Sequence, residues 1–493
     1  MASITTLSID TLTLSIAVGT VAVLGSLFVY LFSKPPFPEN APALTSEAWP
    51  VLGSLQFFTE RWSFFERARA HSHTGNFSFY AGQWPVVAIS GEESRKVFFE
   101  HRGLGFAEAY AALLGGQPKS PKDDGNALLG ELRNDEGDFS AYFNKRLINM
   151  VKGNQLKKNL PLLLADARSA LDSLGSSGST DPFDSIYRMV FQFTMRTVAC
   201  NDIANDHALL ERTLKLYEAI EGTGTPLSIM FPWMPVPAKV KRTYAGAQLY
   251  MIFKRVVDGR NQSGIKEDDA LQYLMDQGDS VTDIITFVLG ALFAGQLNSG
   301  INAAWILVYL ASKPYWLDRV REEVVSVADR YCPDDSVPLK ERLMRVPVEA
   351  WEGEFPIIDI CLKDSIRLQM SGAAFRKNVS GQDIPLNKHG EVIPKGAYAT
   401  FAAGDIHYNP EIYSNPDEWD PARYLPERAE DKKQQHACKS GVPSLPTYPQ
   451  TSTDMRMPRD WLGHRTASMP RHALCQAREQ PDSRFLSRLL RRD

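Results

Sequence analysis

The stretch from Asp405 to Tyr424 constrains the fold of this chain most strongly. Its prolines at positions 410, 416 and 421 each follow an asparagine or an aspartate. An Asx side chain favours a turn, and proline fixes its own backbone and lacks an N–H donor, so neither a regular helix nor a strand is expected to cross this stretch. Trp419 and Tyr424 offer apolar anchors. The sequence therefore predicts a compact irregular coil packed against a larger body.

That larger body is predicted to be mainly helical. Apolar residues recur at three- and four-residue spacing in Lys145–Leu174, Phe183–Val198 and Leu209–Ile220. Period-two alternation predicts a small β region, with a hairpin at Gly75–Ile89 and short strands at Ala374–Val379 and Gly390–Ala399. The glycine, serine and aspartate content of Ser120–Asp138 and Ser173–Thr180 indicates loops. We expect one large domain over residues 54–437.

Charge and cysteine usage exclude several classes of function. The chain of 493 residues carries a formal net charge of -4, which argues against a nucleic-acid partner. Its five cysteines are scattered and form no C-x-x-C pair, so neither a disulfide framework nor a zinc site is indicated. No G-x-S-x-G or H-E-x-x-H motif supports a hydrolase.

The N-terminus is predicted to hold a membrane anchor. Thr11–Phe32 is uncharged, apolar and about long enough to cross a bilayer as a helix. A cleaved signal peptide is the competing interpretation, but its apolar part would be roughly half as long. Asp10 before the stretch and Lys34 after it place the following chain on the cytoplasmic side. We expect an anchor over residues 1–33 and a stiff proline-rich connector over residues 34–53.

A second feature lies upstream of the coil. Asp364 and Arg367 stand three residues apart in an apolar helical segment, so they share one face and can pair. Alone, such a pair is more often an ordinary surface ion pair. Followed by the proline-rich coil, it resembles the E-x-x-R helix and the meander of cytochromes P-450. The resemblance implies that Arg423 completes a buried triad, although the family normally has glutamate where Asp364 stands.

A third feature is the apolar segment Ile285–Ser312, which is interrupted by the small and polar residues 294–300. A buried core helix is the simplest interpretation. The resemblance implies the long helix over the haem, where Gly295 leaves space for oxygen and a local distortion makes room. Leu297 and Asn298 occupy the usual places of an acid and a threonine. The pattern is similar to the subgroup of prostacyclin synthase and sterol 7α-hydroxylase, in which Asn298 and Ser299 would hydrogen-bond a peroxide or a water.

The resemblance also implies the cofactor and its anchors. It indicates haem b, with electrons supplied from NADPH by a reductase partner. Arg376, on the strand after the Asp364 helix, matches a position that commonly holds a haem propionate. Arg146 stands four residues after Tyr142, where the family often shows W-x-x-x-R. A surface arginine on a helix is the plainer interpretation of Arg146.

The C-terminal segment departs from the family pattern. The resemblance extends from Thr11 to Ala437, after which the family has an F-x-x-G-x-x-x-C-x-G loop that supplies the iron ligand. Neither Cys438 nor Cys475 lies in such a pattern, so no metal ligand is identifiable in this reading frame. We interpret residues 438–493 as an aberrant tail.

Reading the tail one base later offers an explanation. Trp461 followed by Leu462 then forces a glycine, and Met469 followed by Pro470 forces a cysteine. Other permitted codons complete a W-x-x-G-x-x-x-C-x-G loop around that cysteine. The hypothesis is that translated intron follows Ala437 and that the true exon is then read in the wrong frame.

Three functions remain open on the sequence. The first is a haem-thiolate monooxygenase that oxidises an apolar small molecule, such as a sterol, terpenoid or polyketide, in the endoplasmic reticulum membrane with NADPH-cytochrome P-450 reductase. The second is a haem-thiolate isomerase or dehydratase that needs no oxygen. The third is a non-enzymatic, truncated product.

Overall fold

A computed structural model describes residues 18–23, 25–26, 33–106, 108–109, 139–150, 153–175, 178–369 and 372–430. Helices dominate these residues. In chain order they are α1 Gln56–Thr59, α2 Arg61–Ala70, α3 Glu92–Glu100, α4 Phe139–Met150, α5 Gly153–Ser173, α6 Pro182–Val198, α7 Asn201–Asn205, α8 His207–Glu221 and α9 Pro226–Met230. They continue as α10 Pro237–Ser263, α11 Ala270–Asp276, α12 Val281–Gly295, α13 Ile301–Ser312, α14 Pro314–Tyr331, α15 Leu339–Leu343, α16 Val348–Gly353, α17 Pro356–Gln369 and α18 Gly404–His407.

The β region of the described residues is small and consists of seven strands. They are β1 Phe77–Ala81, β2 Trp84–Ile89, β3 Leu104–Gly105, β4 Ala373–Asn378, β5 Ile384–Pro385, β6 Val392–Ile393 and β7 Tyr398–Ala402. Five of them form a sheet in the order β1-β2-β7-β4-β3, and β5 pairs with β6. The β2–β7 pair is parallel and the others in the sheet are antiparallel. Strand β2 therefore pairs with a strand from the far end of the described chain.

The predicted hairpin is confirmed. Strands β1 and β2 pair antiparallel and are joined through Gly82, whose φ of 67° suits a tight turn. A Cβ at Gly82 would also lie 2.6 Å from the backbone Cα of Met230, so only glycine fits where the hairpin meets α9. All five residues of β1 are buried, because helices and loops cover both faces of the sheet.

The helical core surrounds α6, α10 and α12. Helix α6 begins where the Asp181 side chain accepts a hydrogen bond from the Phe183 N–H, with proline at its first position. Helix α12 begins at a capping box in which Ser280 and Asp283 bond each other's backbone N–H. Phe287 of α12 is fully buried and packs on the ring of Phe143 at 5.2 Å. This core holds α12 in a fixed position.

Several boundaries differ from the sequence prediction. The helical pattern at Lys145–Leu174 corresponds to two helices, α4 and α5. The strand expected at Gly390–Ala399 is two short strands, because Pro394 lacks an N–H and Gly396, with a φ of 73°, turns the chain between them. The loop predicted at Ser120–Asp138 lies outside the described residues, as does part of the loop at 173–180.

The predicted anchor is described only in part. Residues 18–23 and 25–26 are helical and exposed, and the rest of Thr11–Phe32 lies outside the described residues. Among the described residues, one helix is apolar and long enough to cross a membrane, namely Val281–Ser312. About half of its most apolar part, 47%, is buried inside the protein, as in a core helix.

Candidate active site

The predicted coil forms around a buried ion pair on α17. Asp364 and Arg367 are 0% and 2% exposed, and Arg367 Nε donates to Asp364 Oδ1 at 2.7 Å. The second guanidinium nitrogen of Arg367 lies 3.5 Å from Asp364 Oδ2, so the contact is bidentate. Burial alone would lower the pKa of Arg367, but the adjacent Asp364 carboxylate outweighs it and raises the pKa.

Arg367 fixes the path of the coil. Its Nη1 donates to the carbonyl oxygens of His407 and Pro416, at 2.8 and 2.5 Å. Its Nη2 donates to the carbonyl oxygen of Glu418 at 2.8 Å. The His407 carbonyl ends α18, and the other two carbonyls lie in the irregular turns that follow, where no regular helix or strand supplies backbone donors. One guanidinium therefore donates hydrogen bonds to three carbonyl oxygens along the coil.

Arg423 joins the same cluster from the coil side. It is 1% exposed, and its Nη2 donates to the carbonyl oxygens of Asn415 and Glu418, at 2.8 and 3.0 Å. Asn415 has a positive φ of 45°, which turns its carbonyl into the cluster. Arg423 Nε lies 3.7 Å from Asp364 Oδ1. The structure thus brings together the three residues expected as a triad.

Two aromatic side chains pin the coil to the helices. Trp419 is buried, donates from Nε1 to Ser365 Oγ at 3.0 Å and stacks on Tyr309 of α13 with ring centroids 5.2 Å apart. The Tyr424 hydroxyl donates to Asp364 Oδ1 at 3.3 Å. The coil is therefore fastened to both α13 and α17.

The long apolar helix contains the distortion that the sequence predicted. Residues Gln296–Gly300 form a π-helical turn between α12 and α13. A π turn widens the helix and is often found at functional sites. A Cβ at Gly295 would lie 3.0 Å from Thr194 Oγ1, so glycine lets α12 approach α6 closely just before the turn. The distortion is thus held from the α6 side.

Amide side chains complete the hydrogen bonds of this π turn. Asn298 Nδ2 donates to the Ala294 carbonyl at 2.8 Å, and Asn302 Nδ2 donates to the Asn298 carbonyl at 2.7 Å. Asn298 is half-buried and Ser299 is exposed. Asn298 Oδ1 is buried and accepts no hydrogen bond from the described residues. An acceptor of this kind suits a polar ligand or a water molecule.

The two predicted propionate anchors have different surroundings. Arg376 of β4 is 4% exposed, donates from Nη1 to the Leu104 carbonyl at 3.2 Å and lies over the ring of Phe98. Arg146 of α4 forms a bidentate pair with Asp279, at 2.6 and 3.0 Å, and also donates to Gln277 at 3.0 Å. The structure does not bring Arg146 and Arg376 into contact with each other.

Comparison with known proteins identifies the family. The sequence model described as Cytochrome P450 matches residues 42–439. The chain belongs to the cytochrome P450 family. Its relatives include "Cytochrome P450 monooxygenase AacuE" of Aspergillus aculeatus, which is 34% identical over 85% of this chain and 83% of the relative. "Cytochrome P450 monooxygenase nsrP" of Aspergillus novofumigatus is 34% identical over 83% of this chain and 79% of the relative.

More distant relatives agree with this assignment. "Obtusifoliol 14-alpha demethylase" of Sorghum bicolor is 26% identical over 57% of this chain and 56% of the relative. The solved structure "Retinoic acid bound cyanobacterial CYP120A1" has the same fold, with a TM-score of 0.59, 19% identity, and coverage of 79% of this chain and 83% of the other. As a P450, the protein is a haem-thiolate monooxygenase that uses haem b and acts on an apolar small molecule with electrons from a reductase.

The described residues fit part of a haem site. The buried side-chain oxygen Oδ1 of Asn298 suits the oxygen-binding side of a haem, and the buried guanidinium of Arg376 suits a propionate. Cys200, Cys332 and Cys361 are buried free thiols, and burial raises the pKa of Cys200 and Cys361 to about 12. Cys200 and Cys361 pack inside hydrophobic clusters of the core, and none of the three stands in the loop pattern that supplies the iron ligand of the family. The other two cysteines of this P450 lie outside the described residues.

Sequence reasoning missed two members of the site. Glu430 is 3% exposed and binds Arg423 Nη1 at 3.1 Å, and Asp279 binds Arg146. Burial alone would raise the pKa of Glu430, but hydrogen bonds from Ser414, Arg428 and Arg423 outweigh it and lower the pKa to about 2. The sequence did offer one signal for Glu430, namely two arginines within seven residues of it. A buried arginine needs an anion, so Glu430 was a candidate partner.

Proposed function

We propose that this P450 hydroxylates or oxidises a sterol, terpenoid or polyketide. The observation that carries the proposal is the π turn at Gln296–Gly300 in the apolar helix α12–α13, with the acceptor oxygen of Asn298 beside it. The sorghum relative is named as an obtusifoliol demethylase, and the Aspergillus relatives are named as monooxygenases.

Within this proposal each site residue has a role. When bound, haem b supplies an iron that activates oxygen with electrons originating from NADPH. With haem bound, Asn298 Oδ1 would accept a hydrogen bond from an ordered water, since it has no other partner among the described residues. The Ser299 hydroxyl would hydrogen-bond the same water, in the space that Gly295 leaves open. Arg376 binds a propionate. Arg146 is the second candidate for a propionate, although its contact with Asp279 occupies the guanidinium in this structure.

We propose that NADPH-cytochrome P-450 reductase supplies the electrons and that residues 1–33 anchor the protein in the endoplasmic reticulum membrane. The contacts of the connector support a boundary between anchor and connector at residue 34. Lys34 Nζ donates to the Pro50 carbonyl at 2.8 Å, and the Tyr80 hydroxyl donates to the Pro35 carbonyl at 2.7 Å. The first contact closes residues 34–53 on themselves, and the second ties the start of the connector to β1 of the catalytic body.

We propose that the haem-binding loop is encoded in the shifted frame of the tail, which begins at Cys438. The family match ends at residue 439. In the shifted frame the cysteine is forced, and permitted codons place the tryptophan and the glycine of the expected loop at the right spacing before it, while the forced glycine directly precedes that tryptophan. A transcript with a splice junction near Ala437 would support a translated intron. A continuous transcript that matches the tail contradicts the intron and leaves a frameshift in the gene.

The carbon-monoxide difference spectrum of the reduced protein tests both proposals. It is recorded on this chain and on a version that carries the alternative-frame tail. A thiolate-type Soret band in the second version alone supports the monooxygenase and the repaired loop. If this chain gives the same band, Cys438 or Cys475 reaches the iron and the shifted-frame proposal is wrong.

A haem-thiolate isomerase or dehydratase is the second candidate. Leu297 stands where most of the family has an acid, and a leucine side chain cannot carry a proton. Product formation without NADPH, reductase or oxygen would favour this candidate. Haem content separates both enzymes from a non-enzymatic product, because the latter binds no stoichiometric haem.

A further inference from the structure

The carboxylate of Asp364 is shared among several donors. Besides Arg367, it accepts hydrogen bonds from the Asp420 backbone N–H on Oδ2 at 2.6 Å and from the Tyr424 hydroxyl on Oδ1. Arg423 Nε remains 3.7 Å away and makes no hydrogen bond with any described residue. Aspartate is one methylene shorter than glutamate. The carboxylate on α17 therefore contacts Arg423 by charge alone.

A second buried carboxylate supplies the missing bond. Glu430 Oε2 accepts from Arg423 Nη1 at 3.1 Å. The same carboxylate accepts from the N–H and the hydroxyl of Ser414, at 3.1 and 2.7 Å, and from Arg428 Nη2 at 2.8 Å. Ser414 also presents its carbonyl oxygen to Arg423. Glu430 and Arg423 thus both bind Ser414, and together they join the middle of the coil to the residues that follow it.

The buried charges of this cluster also indicate that Glu430 belongs to it. Arg367 and Arg423 are 2% and 1% exposed, so their two positive charges are buried. Asp364 supplies one negative charge at 0% exposure and Glu430 supplies the other at 3%. Removing one partner from a buried ion pair leaves an uncompensated charge, which is strongly destabilising. Without Glu430 this cluster would carry an excess buried positive charge.

We propose that Glu430 is a positioning residue, which supplies the carboxylate hydrogen bond to Arg423 that the short side chain of Asp364 does not reach. The triad is then a cluster of two arginines and two carboxylates. Glu430 lies beyond the end of the coil at Tyr424, so the cluster ties the chain that follows the coil back to Arg423. The inference goes beyond the proposed function and does not depend on the substrate or on the tail.

The proposal is tested by exchanging the two carboxylates. The free energy of unfolding of the full chain is measured by urea, with far-UV circular dichroism as the signal. We expect Glu430→Gln to lower the folding equilibrium constant by about 10- to 100-fold, because the amide loses the charge and keeps only one of the two acceptor oxygens. Glu427→Gln, at an exposed site in the same segment, is the matched control and should change it less than about threefold.

Rescue distinguishes positioning of Arg423 from simple packing. Asp364→Glu lengthens the carboxylate toward Arg423 Nε, so Glu430→Gln should cost less than about threefold in that background. If Glu430→Gln alone fails to fold, a folded variant that carries both Asp364→Glu and Glu430→Gln also shows the rescue. An equal cost of Glu430→Gln in both backgrounds, or a double variant that is no more stable than Glu430→Gln, overturns the proposal.

The pH dependence gives an independent readout. The pKa of Glu430 is about 2 in the folded protein, against about 4.3 in an unfolded chain. Its stabilising contribution is therefore complete above about pH 4.3 and is lost as the pH falls toward about 2. The loss of stability over this interval should be smaller in Glu430→Gln than in Glu427→Gln. Identical acid profiles of the two variants would contradict a charged Glu430 in the cluster.

Discussion

The contact between Trp419 and Ser365 offers the sharpest test of how the coil is fastened to α17. The indole N–H donates to Ser365 Oγ at 3.0 Å in a buried position, and Ser365 Oγ in turn donates to the Cys361 carbonyl at 2.8 Å. Trp419→Phe removes the indole donor but keeps an aromatic ring over Tyr309. Ser365→Ala removes the acceptor and keeps the indole.

The structure sets the expected size of each effect. Trp419→Phe loses one buried hydrogen bond, worth about 1 kcal/mol, and roughly another 1 kcal/mol of buried apolar area. Ser365→Ala leaves the indole N–H buried without an acceptor, which costs about 1–3 kcal/mol. Because both changes remove the same bond, the double variant should be more stable than the sum of the single effects predicts, by about 1 kcal/mol.

Urea unfolding of the four proteins measures this coupling free energy. The matched control is a second set of variants in which Trp351 is mutated and Trp419 is kept. The indole nitrogen of Trp351 is buried and has no hydrogen-bond partner among the described residues. Trp351→Phe combined with Ser365→Ala should be additive. A coupling below about 0.3 kcal/mol for the Trp419 pair would refute the assigned bond, because unrelated sites are additive within that range.

Three further outcomes are expected. Arg376→Leu should lower the haem-to-protein ratio of the repaired version, measured by pyridine haemochromogen, whereas the lost bond to the Leu104 carbonyl should lower the free energy of unfolding of the haem-free chain by about 1–3 kcal/mol. Asn298→Ala should lower the product formed per NADPH consumed, since the acceptor beside the π turn is lost. Glu323 accepts the N–H groups of Ile357 and the next residue at 2.7 and 3.0 Å, so Glu323→Ala should lower the free energy of unfolding by about 1 kcal/mol, whereas Glu322→Ala should not.

The elements that the sequence predicted well are those with a local pattern. The hairpin at Gly75–Ile89 alternates with period two, and the distortion after Gly295 follows from small and polar residues inside an apolar helix. The spacing of Asp364 and Arg367 was likewise local. Each of these features depends on residues within a few positions of one another, which a single sequence displays directly.

Long-range partners could not be predicted in this way. Arg146 pairs with Asp279, which is 133 positions away, and nothing in the sequence near either residue indicates the other. Glu430 is close to Arg423 along the chain, but its role follows from the distance between Arg423 and Asp364, which only the three-dimensional structure gives. Residue roles toward haem remain predictions for the same reason, since they depend on contacts with a bound group.

The parallel pairing of β2 with β7 has a consequence for synthesis. Val86 of β2 is paired with Tyr398 of β7, so the inner edge of the N-terminal hairpin stays uncovered until roughly 310 more residues have left the ribosome. At about 5–20 residues per second this interval lasts roughly 15–60 seconds. During that time an apolar strand edge is open to pairing with another nascent chain. We therefore expect expression at low temperature with chaperones to raise the soluble yield by protecting this edge, whichever C-terminal tail the chain carries.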